Sequence, residues 1–153
     1  MGAITLIMSF YMYLASNDSD RLYDGNKFHD FIVETPHEYV FKQEHNWLVA
    51  LTDLSLEGSS TGRTETLVKS IIVLCDLANR SYISQKTLPV LRYIPAAEDS
   101  SASLFQSYYV GLSKIKTNKI RITLLDKNLL PLKESEWGSD LVLRCTLHFV
   151  RND

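Results

Sequence analysis

The four histidines are the first residues that could do chemistry, because imidazole is a common metal ligand and general base. They are scattered along the chain, at His29, His37, His45 and His148. His37 and His45 lie eight positions apart, and no HxH or HExxH spacing occurs that would bring two imidazoles to one metal. The sequence therefore predicts no metal site, and nothing in it points to a cofactor.

An acidic segment, DSDRLYDGN (18–26), is the second candidate, since calcium prefers carboxylate ligands of the kind that Asp18, Asp20 and Asp24 offer. The segment departs from the D-x-[DN]-x-[DN]-G-x₅-E pattern of a calcium loop, and it has no Glu at its end. We therefore expect a solvated turn here.

The possible nucleophiles, cysteine and serine, also lack the neighbouring residues that would activate them. Cys75 and Cys145 lie 70 positions apart, which makes neither a CxxC metal pattern nor a disulfide framework. They are predicted to be buried free thiols, which suits a protein that folds inside a cell. Serine pairs at 59–60 and 100–101 have no base nearby in the sequence, and no GxSxG elbow, glycine-rich phosphate loop or paired carboxylates occur. The chain is therefore predicted not to be an enzyme.

Charge excludes a further class of function. The formal net charge is −2 and the isoelectric point is about 6.1, and no run of five or more Lys and Arg residues exists to follow a phosphate backbone. We therefore expect no direct nucleic-acid binding. The N-terminal stretch MGAITLIMSFYMYLAS lacks the basic residues of a signal peptide and is too short and too polar at its end to span a bilayer. Its alternation predicts a strand.

The elements that must position these residues are all strands. Apolar runs rich in Val, Ile, Leu, Phe and Tyr are separated by clusters of turn residues, and no segment shows sustained helical spacing. Such a chain predicts an all-β, single jelly-roll β-sandwich of about eight antiparallel strands, in one domain that spans residues 1–153. The strand count is also compatible with an immunoglobulin-like or lectin sandwich. The eight runs are 4–14, 28–35, 47–56, 67–76, 87–94, 107–112, 119–126 and 141–151.

Alternation within the runs predicts which side chains face the core. The last run is the clearest, because its odd positions are apolar while His148 and its even neighbours face outward. The predicted core residues are Trp47, Val49, Leu51, Ile120, Ile122, Leu143, Leu147 and Phe149.

Several segments together resemble the minor capsid (penton-type) proteins of Polinton/Maverick elements and of adintovirus-like viruses. That family has an apolar strand ending in Cys-Asp or Ser-Asp, then a polar loop, then a Leu-Leu-Arg strand, and here Cys75-Asp76 is followed by Pro89-Val-Leu-Arg92. The matching segments occur in the family's order and cover nearly the whole chain. They are 10–17 (FYMYLASN), 31–36 (FIVETP), 47–54 (WLVALTDL), 74–76 (LCD), 89–92 (PVLR), 108–112 (YYVGL), 120–123 (IRIT) and 147–149 (LHF).

The resemblance implies a non-enzymatic viral or virus-like structural protein. Such a protein would self-associate at the capsid vertices as a homo-oligomer, expected to be a pentamer, and would contact the major capsid protein. It would be located in the virion after folding in the cytoplasm or nucleus of the host cell.

A subunit interface is expected near the strand that Pro89 and Pro95 enclose, because prolines prevent a ladder from extending and so suit a sheet margin. Arg92 would either pair with a carboxylate of the neighbouring subunit or cap its own sheet, and the sequence favours neither role over the other. Tyr and Arg are also residue types enriched at interfaces. The expected interface residues are Tyr82, Arg92, Tyr93, Glu98 and Asp99.

A recognition module is the alternative function. A β-sandwich of this kind would bind a glycan or a protein through its loops. Its expected contacts are Tyr82, Tyr108, Tyr109 and Trp137.

Overall fold

Two four-stranded antiparallel sheets make up most of the computed structural model, which describes residues 9–58, 69–95 and 107–151. Sheet I has the strand order β1-β10-β3-β8, and sheet II has the order β2-β9-β4-β7. The elements are β1 (Ser9–Ala15), β2 (Asp30–Val40), β3 (Trp47–Gly58), β4 (Ile71–Cys75), β5 (Ser81–Ile83), β6 (Lys86–Leu88), β7 (Val90–Ile94), β8 (Val110–Gly111), β9 (Lys116–Leu125), α1 (Glu134–Trp137) and β10 (Leu141–Arg151).

The pairing of these strands is nested. β1 pairs with β10, β2 with β9, β3 with β8 and β4 with β7, as if one long hairpin had been rolled up. Two further pairings, β10 with β3 and β4 with β9, complete the two sheets. This is the jelly-roll β-sandwich that the alternating pattern predicted.

The core lies between the two sheets, and the predicted faces are confirmed. Seven of the eight predicted core residues are buried, with Val49, Ile122 and Phe149 fully inaccessible. Trp47 is the exception: it is half-buried and packs its ring edge-on against Phe10 and Phe41. Its position explains the difference, because β3 begins at Trp47 and its ring covers the end of the core.

A β-bulge explains why alternation changes phase within β3. Thr146 lies opposite Asp53, but the next residue of β10, Leu147, lies opposite Leu51, so Thr52 is an extra residue in β3. Because a bulge shifts the period by one, Leu51 and Leu54 both face the core and are buried. The spacing Leu-x-x-Leu in the 47–54 segment is therefore the sequence signature of this bulge.

The region after β4 differs from expectation. The predicted strand 87–94 is divided at Pro89 into β6 and β7, and β6 forms a small hairpin with β5, which was not predicted. The turn of this hairpin places Ser84 and Gln85 at positive φ, 44° and 66°, as a two-residue hairpin turn requires. The short helix α1 was not predicted either. Parts of the expected strands 4–14 and 67–76 lie outside the described residues.

Both cysteines are buried in the core as free thiols, as expected. Burial raises the pKa of Cys75 to about 12 and raises the pKa of Cys145 as well. Thiols in this environment stay protonated and pack as small apolar side chains.

Candidate functional site

The predicted interface residues that the structure describes lie along one edge of the sandwich. We call this edge the β7 margin; it comprises residues 80–95 together with Tyr108. Tyr82 in the hairpin is 76% exposed and Tyr93 in β7 is 50% exposed. The hydroxyl of Tyr93 donates a hydrogen bond to Oγ of Ser70. The other two predicted residues, Glu98 and Asp99, lie outside the described residues.

Arg92 reaches from sheet II to sheet I. Its Nη1 donates a hydrogen bond to the carbonyl oxygen of Leu51 at 3.2 Å, and its guanidinium lies 4.8 Å from the centre of the Tyr108 ring. Within the described residues, its buried Nε has no hydrogen-bond partner, and burial lowers the pKa of the side chain. These contacts join the two sheets of one molecule, and a role of Arg92 at a subunit interface stays a prediction.

Local sequence explains how Arg92 reaches that position. Val73 lies opposite Arg92 and Leu74 lies opposite Val90, so Leu91 is an extra residue that bulges from β7. A bulge re-aims the neighbouring side chains. Leu91 fills the core, where it is 2% exposed, and Arg92 crosses the gap between the sheets at the edge where β8 is only two residues long.

The opposite edge of sheet II is covered by the acidic loop, residues 16–26. The side-chain amide of Asn26 donates to the carbonyl of Ile32 and accepts from its N–H. Similarly, the N–H of Glu34 donates to Oγ of Ser19. The loop therefore occupies the backbone groups that the edge of β2 would otherwise expose, while Asp20 and Asp24 point into solvent.

A row of aromatic side chains crosses the outer face of sheet I. We call Tyr11, Tyr13, Tyr109 and His148 the tyrosine row. The rings of Tyr11 and His148 stack at 4.2 Å, and the hydroxyl of Tyr109 lies 2.8 Å from Nδ1 of His148. Tyr13 is 76% exposed at the end of the row. His148 faces outward as predicted.

Sequence reasoning assigned no common role to the tyrosine row. Part of the row could have been recognised from β1, because Tyr11 and Tyr13 alternate with the buried Met12 and Leu14 and so share the outer face. What could not be read from the sequence is the register that sets Tyr11 opposite His148.

The contacts expected for a recognition module are only partly brought together. Tyr108 and Tyr109 immediately precede β8, which pairs with the start of β3, whereas Trp137 precedes β10, whose start pairs with the end of β3. Trp137 instead lines a pocket of about 470 Å³ that also holds the Lys69–Glu136 ion pair. These aromatic residues therefore belong to two different ends of sheet I.

Within residues 9–58, 69–95 and 107–151, no cluster of three or more His, Cys, Asp or Glu side chains is arranged to hold a metal ion. Asp18 accepts a hydrogen bond from the N–H of Ala15 at 2.9 Å, an interaction typical of a turn. The same described ranges contain no helix with the length and apolarity needed to cross a bilayer.

Comparisons with known proteins identify the fold. No protein-family model matches the chain, and no curated protein matches it. Among solved structures, the chain is similar to the mavirus penton protein, known from a crystal structure of its selenomethionine form. The two share 8% sequence identity with a TM-score of 0.52, over 95% of this chain and 100% of that one. The chain therefore shares its jelly-roll fold with the mavirus penton protein, and the resemblance seen in the sequence is confirmed at the level of the fold.

Proposed function

We propose that this chain is a non-enzymatic structural protein of a virion, a minor capsid protein of the penton type. The observation that carries the proposal is the likeness to the mavirus penton protein, which extends over the whole of that chain and 95% of this one. The ordered series of strand motifs in the sequence supports the same conclusion. One fold can serve several functions, and self-association is the property that distinguishes a penton-type protein from a recognition module.

In this proposal the chain folds as a single domain in the host cell and then self-associates at the capsid vertices as a pentamer that contacts the major capsid protein. A closed ring uses heterologous contacts, in which one surface meets a different surface of the neighbour. The β7 margin is suited to one side of that contact, because it exposes Tyr82 and Tyr93 and tyrosine is enriched at protein interfaces.

The test is the molar mass of the purified protein, measured by size exclusion with light scattering, alone and with the major capsid protein. We expect a mass that is a multiple of the 17.5 kDa chain, with the pentamer predominant. A chain that stays monomeric at high concentration with the major capsid protein present would contradict the proposal.

The β7 margin is tested by Tyr82→Ser and Tyr93→Ser, which are expected to shift the protein towards monomer without altering its circular dichroism. Leu130→Ser is a matched control, since Leu130 is 53% exposed in the turn after β9. Arg92→Glu is less informative than these changes, because it would also break the hydrogen bond to Leu51.

A recognition module remains the second candidate, and the tyrosine row is the observation that favours it. If the parent protein is monomeric, Tyr109→Ser should reduce binding to a glycan or protein ligand, since Tyr109 is the member of the row that lies in a loop.

A further inference from the structure

The two edges of sheet II differ in charge. Residues 80–95 of the β7 margin contain Arg80, Lys86 and Arg92 and no carboxylate. The acidic loop contains Asp18, Asp20 and Asp24 with Arg21 as its one basic residue. These segments have opposite net charge although the whole chain is close to neutral, at −2.

The two oppositely charged segments lie at opposite edges of the sheet. The acidic loop is hydrogen-bonded along β2, and β2 and β7 are the two outermost strands of sheet II. The loop and the β7 margin therefore face away from each other and cannot meet within one molecule. They can meet between two molecules that are placed edge to edge.

We propose that the acidic loop of one copy docks on the β7 margin of the next copy. This inference rests on the proposed self-association and names the second surface of that contact. The occupant of the β7 margin is a second copy of this chain, because charge complementarity between opposite edges favours head-to-tail association.

Both surfaces have the composition of an interface rather than of a simple ion pair. Leu22 is 64% exposed in the middle of the acidic loop, with Asp20 and Asp24 on either side of it. Tyr82 is 76% exposed in the hairpin that carries Lys86. An apolar centre with a charged rim is the usual anatomy of a protein interface.

The loop is also held in place before any contact forms. The bonds from Asn26 to Ile32 and from Glu34 to Ser19 fix its backbone against β2. Since a rigid loop loses little conformational entropy on binding, the loop is preorganised for contact with a neighbouring copy.

Charge reversal tests the pairing in the full chain. Asp20→Lys/Asp24→Lys places like charges on the two surfaces and is expected to raise the dissociation constant of the assembly by about 100-fold, because like-charge contacts are strongly repulsive. Lys86→Glu alone should raise it by about tenfold. The combined triple variant should assemble more tightly than Asp20→Lys/Asp24→Lys.

Matched controls are Glu44→Lys and Lys127→Glu, which reverse exposed charges in the β2–β3 loop and after β9. They should leave the dissociation constant within about twofold of the parent value, since they lie at neither surface. Circular dichroism and thermal unfolding show that each variant is folded.

The outcomes separate this inference from the function on which it rests. A parent that assembles, with Asp20→Lys/Asp24→Lys and Lys86→Glu assembling equally well, would overturn the inference and leave self-association standing. If the triple variant is no better than Asp20→Lys/Asp24→Lys, these two surfaces do not pair with each other. A monomeric parent would overturn self-association itself, and this contact with it.

Discussion

The two edges of sheet II are protected from pairing with a further strand in different ways. At the edge of β2, side chains of the acidic loop occupy the backbone groups of Ile32 and Glu34. At the edge of β7, Pro89 and Pro95 bound a short strand, and a bulge at Leu91 interrupts its pairing with β4. Both devices prevent indiscriminate strand addition. The difference is that the first edge is closed by its own chain, whereas the second leaves tyrosines and cations exposed.

The core beneath the two edges differs as well. Towards β1 and β2 it is aromatic, and Phe10 stacks on Phe149 at 4.8 Å and on Tyr39 at 5.5 Å. Beneath β7 it is aliphatic, with Leu91 and Ile94 buried. Stability is therefore expected to depend most on the aromatic side and association most on the β7 margin.

Phe149→Ala is expected to have the largest effect on stability. Phe149 is fully buried and its ring packs against both Phe10 and Phe41, so its loss leaves a cavity that costs about 3–5 kcal/mol of unfolding free energy. Denaturant unfolding measures this, with Val150→Ala on the opposite face of β10 as the control. A loss below about 1 kcal/mol would contradict the assignment of the inner face.

Asn26→Ala tests whether the acidic loop seals the edge of β2. The change removes both hydrogen bonds to Ile32 and is expected to cost about 1–3 kcal/mol, because partly buried backbone groups lose their partner. Asn26→Asp retains the acceptor and loses the donor, so it should fall between the parent and the alanine variant. Equal stability of all three proteins in urea would mean that water replaces the side chain at this edge.

Arg92→Met measures what the arginine contributes within its own chain. Loss of the hydrogen bond to Leu51 and of the contact with the Tyr108 ring is expected to cost about 1 kcal/mol. The thermal midpoint reports this loss when parent and variant are compared at a protein concentration where light scattering shows both to be monomeric, so that association does not contribute. An unchanged midpoint would mean that the contacts of Arg92 with Leu51 and Tyr108 do not stabilise the fold.

Arg121→Ala should have the smallest effect and serves as a reference away from both edges. Arg121 lies on β9, which is flanked by β2 and β4, and forms two hydrogen bonds with Asp30. An exposed pair of this kind contributes about 0.5 kcal/mol. Its removal should leave the assembled mass unchanged, and dissociation of the variant would place an interface on the outer face of sheet II.

Much of the fold could be predicted because alternation is a local signal. The inward-facing odd positions of β10 were predicted from the sequence, whereas the bulge at Thr52 was not, because it is set by the register of β3 against β10. The β5–β6 hairpin was missed because its strands have three residues each and a turn, Ser84-Gln85, that lacks the usual glycine. Helix α1 was missed because a single turn is too short for helical periodicity to show.

The candidate site could be predicted only in part, for a different reason. Tyr93 lies between Pro89 and Pro95, and Tyr82 lies only seven positions before Pro89, so their nearness along the chain can be read from the sequence. The contact of Arg92 with Leu51 joins residues of two different sheets, and local patterns carry no information about such pairs. The hydrogen bonds between the acidic loop and the edge of β2 could not be predicted from local patterns either.

The nested pairing of strands has a consequence for how the chain acquires its structure. β10 lies between β1 and β3 in sheet I, yet it is made after every other described strand. During synthesis β1 and β3 therefore cannot form their pairings with β10, while all four strands of sheet II have already been made and can pair. Folding dominated by such distant pairings is slow, in the range of about milliseconds to seconds, and its intermediates expose strand edges that can aggregate. Arrival of β10 is expected to be the step that commits the chain to its native state.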